Sequence, residues 1–342
     1  MTTDPAKAHS ADHIGAEAPR TRAWHDGKVE AEGFPVADVS EYIGQGLTVW
    51  LDLCDPGRDD LHVISEELDL DPVAVEDAVS AHERAKLDRY HGYLFLNLYV
   101  PHVDGGELTL HEVSVFVTDH ALVTVRTDRG LKIDALMDRW DDGPELGEKG
   151  FAERPVSALL YGLLDLVVDA QLDAAQKLDD EADELEELIF DESFPVRRIQ
   201  QRSFRLRKNL AALRRVTLPM REILNTLLRR DLGLVTKELT PYYQDVYDHT
   251  LRVAEWTDGL RDLVANLLDT RIALQGNRMN EVMKKVTSWA AIIAVPTAVT
   301  GFYGQNVPYP GYSAHSGFVV SSVVIVLLSV GLYLVFKKRD WL

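Results

Sequence analysis

A chain of 342 residues with 36 Lys and Arg against 55 Asp and Glu, a formal charge of −19, has room for two or three structural units and is too acidic for nucleic acid to be its main partner. The single cysteine, Cys54, excludes an internal disulfide and suits a reducing cytoplasm. The eleven histidines lack the paired spacing of a zinc site, no Gly-x-x-x-x-Gly-Lys phosphate loop occurs, and no nucleophile–base constellation stands out, so neither a nucleotide partner nor an enzyme is expected.

Residues 1–20 are rich in Ala, His and Asp, carry no apolar run that would mark a signal peptide, and are expected to be disordered. From 21 to 154 the pattern is mixed. Leu47–Leu53, Tyr93–Val100, Glu112–Val117 and Ala121–Arg126 are rich in β-branched, aromatic and leucine residues and read as strands. Leu61–Leu68, Pro72–Ala81 and Leu131–Trp140 have helical periodicity, so this region is expected to be a cytoplasmic α/β domain. Strand signals stop at Pro155, and residues 155–240 read as a helical hairpin. Its first helix, Ser157–Ile189, ends in an acidic run from Asp179 to Glu187, and Phe194-Pro195 breaks it. The second helix is basic, with Arg197, Arg198, Arg202, Arg205, Arg207 and Lys208. Opposite charges on successive helices suit an antiparallel pair with complementary faces; an acidic lobe that concentrates cations is the functional alternative.

From Pro241 no further proline occurs before Pro296, so residues 241–303 read as one stalk helix of about sixty residues, on the order of 90 Å. That length far exceeds a bilayer and needs partners to bury its apolar stripe. Its end, Val286–Phe302, is uncharged but carries Thr287, Ser288, Pro296, Thr297 and Thr300, which suits a helix beside something polar. Phe318–Phe336 is a second uncharged stretch of roughly nineteen residues, enough to cross a bilayer. Lys284 and Lys285 precede the first span, and Lys337, Lys338 and Arg339 follow the second, within the basic tail 337–342. The connecting loop 304–317 has neither Lys nor Arg. Basic residues stay inside, so the chain is expected in the plasma (inner) membrane with both termini cytoplasmic and the loop outside.

Steps of four and three back along one helical face pass Gly301, Thr297, Ala294, Ala290, Thr287, Met283 and Asn280. All but Met283 are small or polar, while Trp289, Ile292, Ile293 and Val299 lie elsewhere. Such a stripe lets membrane helices pack closely; it also suits the wall of a pore, which one span can form only as several copies around an axis. The loop favours the pore. Gly304 allows backbone conformations closed to other residues, and Asn306 brings a carbonyl oxygen and an amide that can bind the water shell of a cation without stripping it.

From about Trp50 to Leu342 the chain resembles the CorA family of divalent-cation channels. Four stretches carry the likeness: Leu70-Asp71-Pro72 through Glu76-Asp77 and Lys86-Leu87-Asp88-Arg89-Tyr90 to Tyr93-Leu94-Phe95-Leu96; Pro241-Tyr242-Tyr243-Gln244-Asp245-Val246-Tyr247-Asp248-His249; Asn280-Glu281-Val282-Met283-Lys284; and Tyr303-Gly304-Gln305-Asn306 with the closing Lys337-Lys338-Arg339-Asp340-Trp341-Leu342. The resemblance implies a homopentameric funnel in the bilayer, built from an α/β domain, a stalk helix and two C-terminal transmembrane helices. It implies passive uptake of Mg2+, with Co2+ and Ni2+ as passengers, driven by the membrane potential. Gly304 and Asn306 match the outer entrance of the family's Gly-Met-Asn signature, and Gln305 stands where the family has methionine. The loop 304–317 also lacks the carboxylates common in the family. The related zinc transporter ZntB departs at the same middle position, which leaves a proton-coupled Zn2+ route open.

The resemblance further implies an inner pore at Asn280 and Met283, a polar ring at Thr297, a funnel-lining acid at Asp269, and a regulatory Mg2+ held between neighbouring subunits by Asp77 and Asp245. Two carboxylates across an interface repel until a divalent ion neutralises them, so loss of that ion would loosen the assembly and open the pore. A membrane-tethered cation sensor that conducts nothing is the alternative from another class.

Overall fold

The computed structural model describes residues 17–80, 84–142, 154–191, 194–229, 232–305, 308, 311 and 314–342. The chain divides into two compact units, Met1–Ala265 and Asn266–Leu342.

The first unit is built on a seven-stranded sheet in the order β2-β1-β3-β7-β6-β5-β4. Its strands are β1 (Arg20–His25), β2 (Lys28–Glu32), β3 (Thr48–Cys54), β4 (Lys86–Arg89), β5 (Leu94–Asp104), β6 (Glu107–Val117) and β7 (Ala121–Arg126). All neighbours run antiparallel except β3 and β7, which pair in parallel from Val49↔Ala121 to Cys54↔Arg126. Around the sheet stand α1 (Val39–Gly44), α2 (Arg58–Glu67), α3 (Pro72–Asp77), α4 (Ile133–Asp142), α5 (Pro155–Phe190) and α6 (Val196–Leu227).

Alternation along the strands sends Leu51, Leu53, Phe95, Phe116, Val123 and Val125 to one face, where Leu61 and Ile64 of α2 and Ala74 and Val75 of α3 complete a core. The other face carries Trp50, whose indole N–H donates to Thr124 Oγ1 at 3.2 Å and whose ring meets Trp140 of α4 edge-on at 5.1 Å. Helices α5 and α6 pack against the sheet. Within it, Arg126 grips the Asp52 carboxylate with two nitrogens, Nε at 2.9 Å and Nη2 at 2.6 Å, and Thr124 donates to the same group at 2.7 Å. Both charges of this pair are almost fully buried, and each finds its partner in the other.

The expected strands are present, but β1, β2, β4 and α1 were not foreseen. The first two form a hairpin around Asp26 and Gly27, both at positive φ, which a two-residue turn of this twist requires. Their Arg, Lys and Glu residues conceal the apolar alternation that marks a strand. β1 also begins at Arg20, inside the segment expected to be disordered, of which residues 1–16 lie outside the described residues. Helix α3 stops at Asp77, before the expected Ala81. Its start is well fixed: Pro72 opens it, and the Asp71 carboxylate accepts from the Val73 N–H at 2.8 Å.

Helix α7 (Thr240–Tyr303) runs unbroken for 64 residues, through Pro296 and across the boundary between the units. Helix α8 (His315–Lys338) follows. Among the described residues three helices, α5, α7 and α8, are long and apolar enough to cross a membrane. Burial separates them. The apolar window of α5 is 67% buried, against 6% for α7 and 0% for α8, so α5 spends its apolar surface on the sheet while α7 and α8 leave theirs uncovered.

Candidate functional site

In the second unit Asn280, Met283, Thr287, Ala294, Thr297 and Gly301 all lie on α7, and all are exposed. At 3.6 residues per turn they fall, with Ala290 and Asp269, within an arc of about 100°. Trp289 and Ile293, off that arc, are also exposed. The two faces therefore differ in chemistry and not in cover: one is bulky and apolar, the other small and polar. Thr297 donates its hydroxyl to the Ile293 carbonyl at 3.2 Å and Thr300 to the Pro296 carbonyl at 2.8 Å, so both hydroxyls are hydrogen-bonded within their own helix. A side-chain carbon added at Gly301 would meet nothing within 4 Å.

Beyond Tyr303 the helix closes with the Gly304 N–H on the Thr300 carbonyl at 2.8 Å and the Gln305 N–H on the Phe302 carbonyl at 3.2 Å. Here the structure corrects the reason expected for a glycine. Gly304 is not in the left-handed region; a Cβ at this position would instead lie 3.0 Å from the Thr300 oxygen, so closeness and not conformational freedom favours glycine. Gly304 and Gln305 are exposed, and Asn306 lies outside the described residues.

Asp77 and Asp245 belong to the first unit and occupy different surroundings. Asp77 ends α3, 3.9 Å from Lys86. Asp245 stands on α7 with its carboxylate 3.9 Å from Nδ1 of His249, one turn later. No metal-capable group among the described residues contains both aspartates.

The group that does form was missed in the sequence. Asp165 and Asp169, one turn apart on α5, and His249 of α7 place one ligand atom each within 4.8 Å of one another. Arg139 of α4 already pairs with both carboxylates, at 2.8 Å to Asp165 and 2.6 Å to Asp169. Burial pushes the Asp165 carboxyl above its ordinary range; Arg139 opposes that shift, and the charge of Asp169 adds to it. Nδ1 of His249 is shielded from solvent and has no hydrogen-bond partner among the described residues. Asp245 adds its field to Asp165, so four titratable groups and one arginine share this corner. The i, i+4 spacings Asp165/Asp169 and Asp245/His249 were visible in the sequence; the meeting of the two helices was not.

The CorA-like Mg2+ transporter protein family matches residues 46–338. The cobalt/magnesium transport protein CorA of Thermotoga maritima is 32% identical over 311 residues, 90% of this chain and 87% of the relative. The zinc transport protein ZntB of Pectobacterium carotovorum is 25% identical over 241 residues, 67% of this chain and 68% of the relative. The complete structure of the CorA magnesium transporter from Methanocaldococcus jannaschii superposes with a TM-score of 0.77 at 21% identity, covering 95% of this chain and 98% of that one, which establishes a shared fold. With a family match over most of its length and a relative above 30% identity, the chain belongs to the CorA-like Mg2+ transporter family.

Proposed function

We propose that five copies of this chain surround a water-filled axis in the plasma membrane and conduct divalent cations inward, Mg2+ first and Co2+ or Ni2+ as passengers. The observation that carries this reading is the open small-and-polar face of α7 from Asn280 to Gly301, on a helix whose apolar window is almost entirely uncovered. An apolar solvent would accept the Trp289 face; the Thr287 and Thr297 face calls for water or for other copies of itself. Gly304, Gln305 and Asn306 would form the outer mouth, with side-chain amides receiving a hydrated ion. The membrane potential would supply the drive, about 2.3 kcal/mol per charge per 100 mV and twice that for a divalent ion. The basic residues flanking both spans support cytoplasmic termini.

A cytoplasmic cation would hold the assembly shut. Asp245, facing Asp77 of a neighbouring copy, supplies hard oxygen donors, and the Asp165, Asp169 and His249 group offers two more with an imidazole. Nδ1 of His249, which makes no hydrogen bond among the described residues, fits such a role, and Arg139 is the counter-charge that an ion there would replace. The ion's contribution would be to neutralise carboxylates that otherwise repel.

Zinc movement is the second reading, favoured by Gln305 in place of methionine, by a loop 304–317 without carboxylates, and by the likeness to a zinc transport protein. Liposome flux of Mg2+, Co2+ and Zn2+, with and without a pH gradient, separates the two. We expect Mg2+ flux that ignores the proton gradient; Zn2+ flux that follows it, with no Mg2+ flux, would reverse the assignment. Asn306→Ala is expected to abolish uptake while leaving the oligomer intact, and normal flux in that variant would remove the loop from the outer mouth.

A further inference from the structure

A cavity of about 750 Å³ opens in the first unit between β4 and α6, and its wall contradicts the charge of the chain. In a protein of formal charge −19, five cations line it: Arg84 and Lys86 at β4, Arg214 and Arg215 on α6, and Arg261 on α7. Their local compensation is incomplete. Arg214 and Arg261 share one carboxylate, Asp258, at 2.7 and 3.1 Å. Burial works against that carboxylate, yet the two guanidiniums hold it below its ordinary range. Lys86 leans on Asp88 at 3.0 Å. Glu222 is the other acid in the wall. Arg84 and Arg215 are exposed and make no ion pair or hydrogen bond among the described residues. Like charges gathered this way repel, and an arrangement that keeps them together is explained by an anion that they hold.

The floor is apolar, made by Leu87, Leu218, Pro219 and Ile223. Pro219 lies inside α6, where it lacks the N–H that would bond the Arg215 carbonyl, so one hydrogen bond of the helical ladder is missing beside the cavity while the helix itself runs on. Among the described residues β4 is the last strand of the sheet, with no strand on its outer edge. The size suits a small-molecule site, typically about 300–1,000 Å³. Guanidinium groups match phosphate oxygens two at a time, which a lone lysine cannot do.

We propose that this cavity binds a soluble phosphate-bearing anion of nucleotide size, its phosphates between Arg84 and Arg215 and its remaining part on the Leu218–Pro219 floor. The expectation of no nucleotide partner rested on the missing glycine-rich loop. This site uses guanidiniums from separate elements instead, and leaves no such motif in the sequence.

The test is calorimetric titration of the full-length protein in detergent, stripped of divalent ions, with ATP, tripolyphosphate and inorganic phosphate as probes. ATP and tripolyphosphate should bind with one site per chain. The double variant Arg84→Ala/Arg215→Ala should weaken both by at least about tenfold, since the charge-assisted hydrogen bonds to the phosphates are lost. Arg84→Lys/Arg215→Lys should recover part of the loss and confirm folding, and Arg198→Ala, elsewhere on α6, should bind as the parent does. ATP tighter than tripolyphosphate supports contact with the floor; equal affinities support a site that reads phosphate alone. No binding of any probe, or unchanged binding in the double alanine variant, overturns the proposal. The measurement reads binding and not flux, so its failure would leave the transport reading standing.

Discussion

His111 on β6 and Asp128 beyond β7 face each other at 2.9 Å, and the ring is closed in by Gly130, where an added Cβ would fall 1.8 Å from His111 Cγ. The hydrogen bond that His111 Nδ1 donates to the Asp128 carboxylate raises the histidine above its ordinary 6.5, with burial opposing. Burial would lift Asp128, but His111 and the Gly130 N–H hold it below 3.8. A raised histidine stabilises the fold fully below its unfolded value and loses that contribution as pH rises through the folded one. The temperature of thermal unfolding should therefore fall as pH climbs past the raised histidine value, and His111→Gln should flatten the dependence; an unchanged profile would remove the pair from that role. Gly130→Ala should cost about 1–3 kcal/mol by overpacking, read in the same melts. None of this was legible beforehand, because His111 and Asp128 lie on different elements and meet only through the pairing of β6 with β7.

Among elements, the hairpin of α5 and α6 tests which force holds two helices of opposite charge. The expected complementarity is present in Glu184–Arg202 at 2.6 Å and Glu181–Arg205 at 3.3 Å; Glu181 is half-buried, but the Glu184 carboxylate stands at the surface, where such a pair is worth about 0–1 kcal/mol. Leu178, Leu185 and Ile189 of α5 and Leu206, Leu210 and Leu213 of α6 are buried. A double-mutant cycle on Glu184 and Arg202 should give a coupling below about 1 kcal/mol, whereas Leu178→Ala should lower stability by about 2–5 kcal/mol. The reverse ranking would assign the hairpin to charge. Long helices were legible because periodicity and proline mark them over many turns, and the continuity of α7 followed from its missing breakers. Short charged strands such as β2 were not, since an edge strand with little apolar surface owes its form to the neighbour it pairs with.

For the whole molecule, native mass spectrometry of the detergent-extracted chain should show five copies, and Mg2+ should slow its proteolysis. Asp245→Ala, alone or with Asp77→Ala, should weaken that protection; full protection in both variants would remove these aspartates from cation sensing. Family membership was legible from Tyr303-Gly304-Gln305-Asn306 and the stretches before it, because a motif survives in one dimension. The corner of Asp165, Asp169 and His249 was not, because it exists only where two helices meet. What fixes that meeting is Tyr243, fully buried, whose hydroxyl donates to the Ser157 carbonyl at 2.9 Å and lies 3.1 Å from its Oγ. Ser157 stands two turns before Asp165, and Tyr243 two residues before Asp245. One phenol thus serves as the datum from which both rows of acids are measured, and a methyl's worth of slippage there would misalign every carboxylate further along.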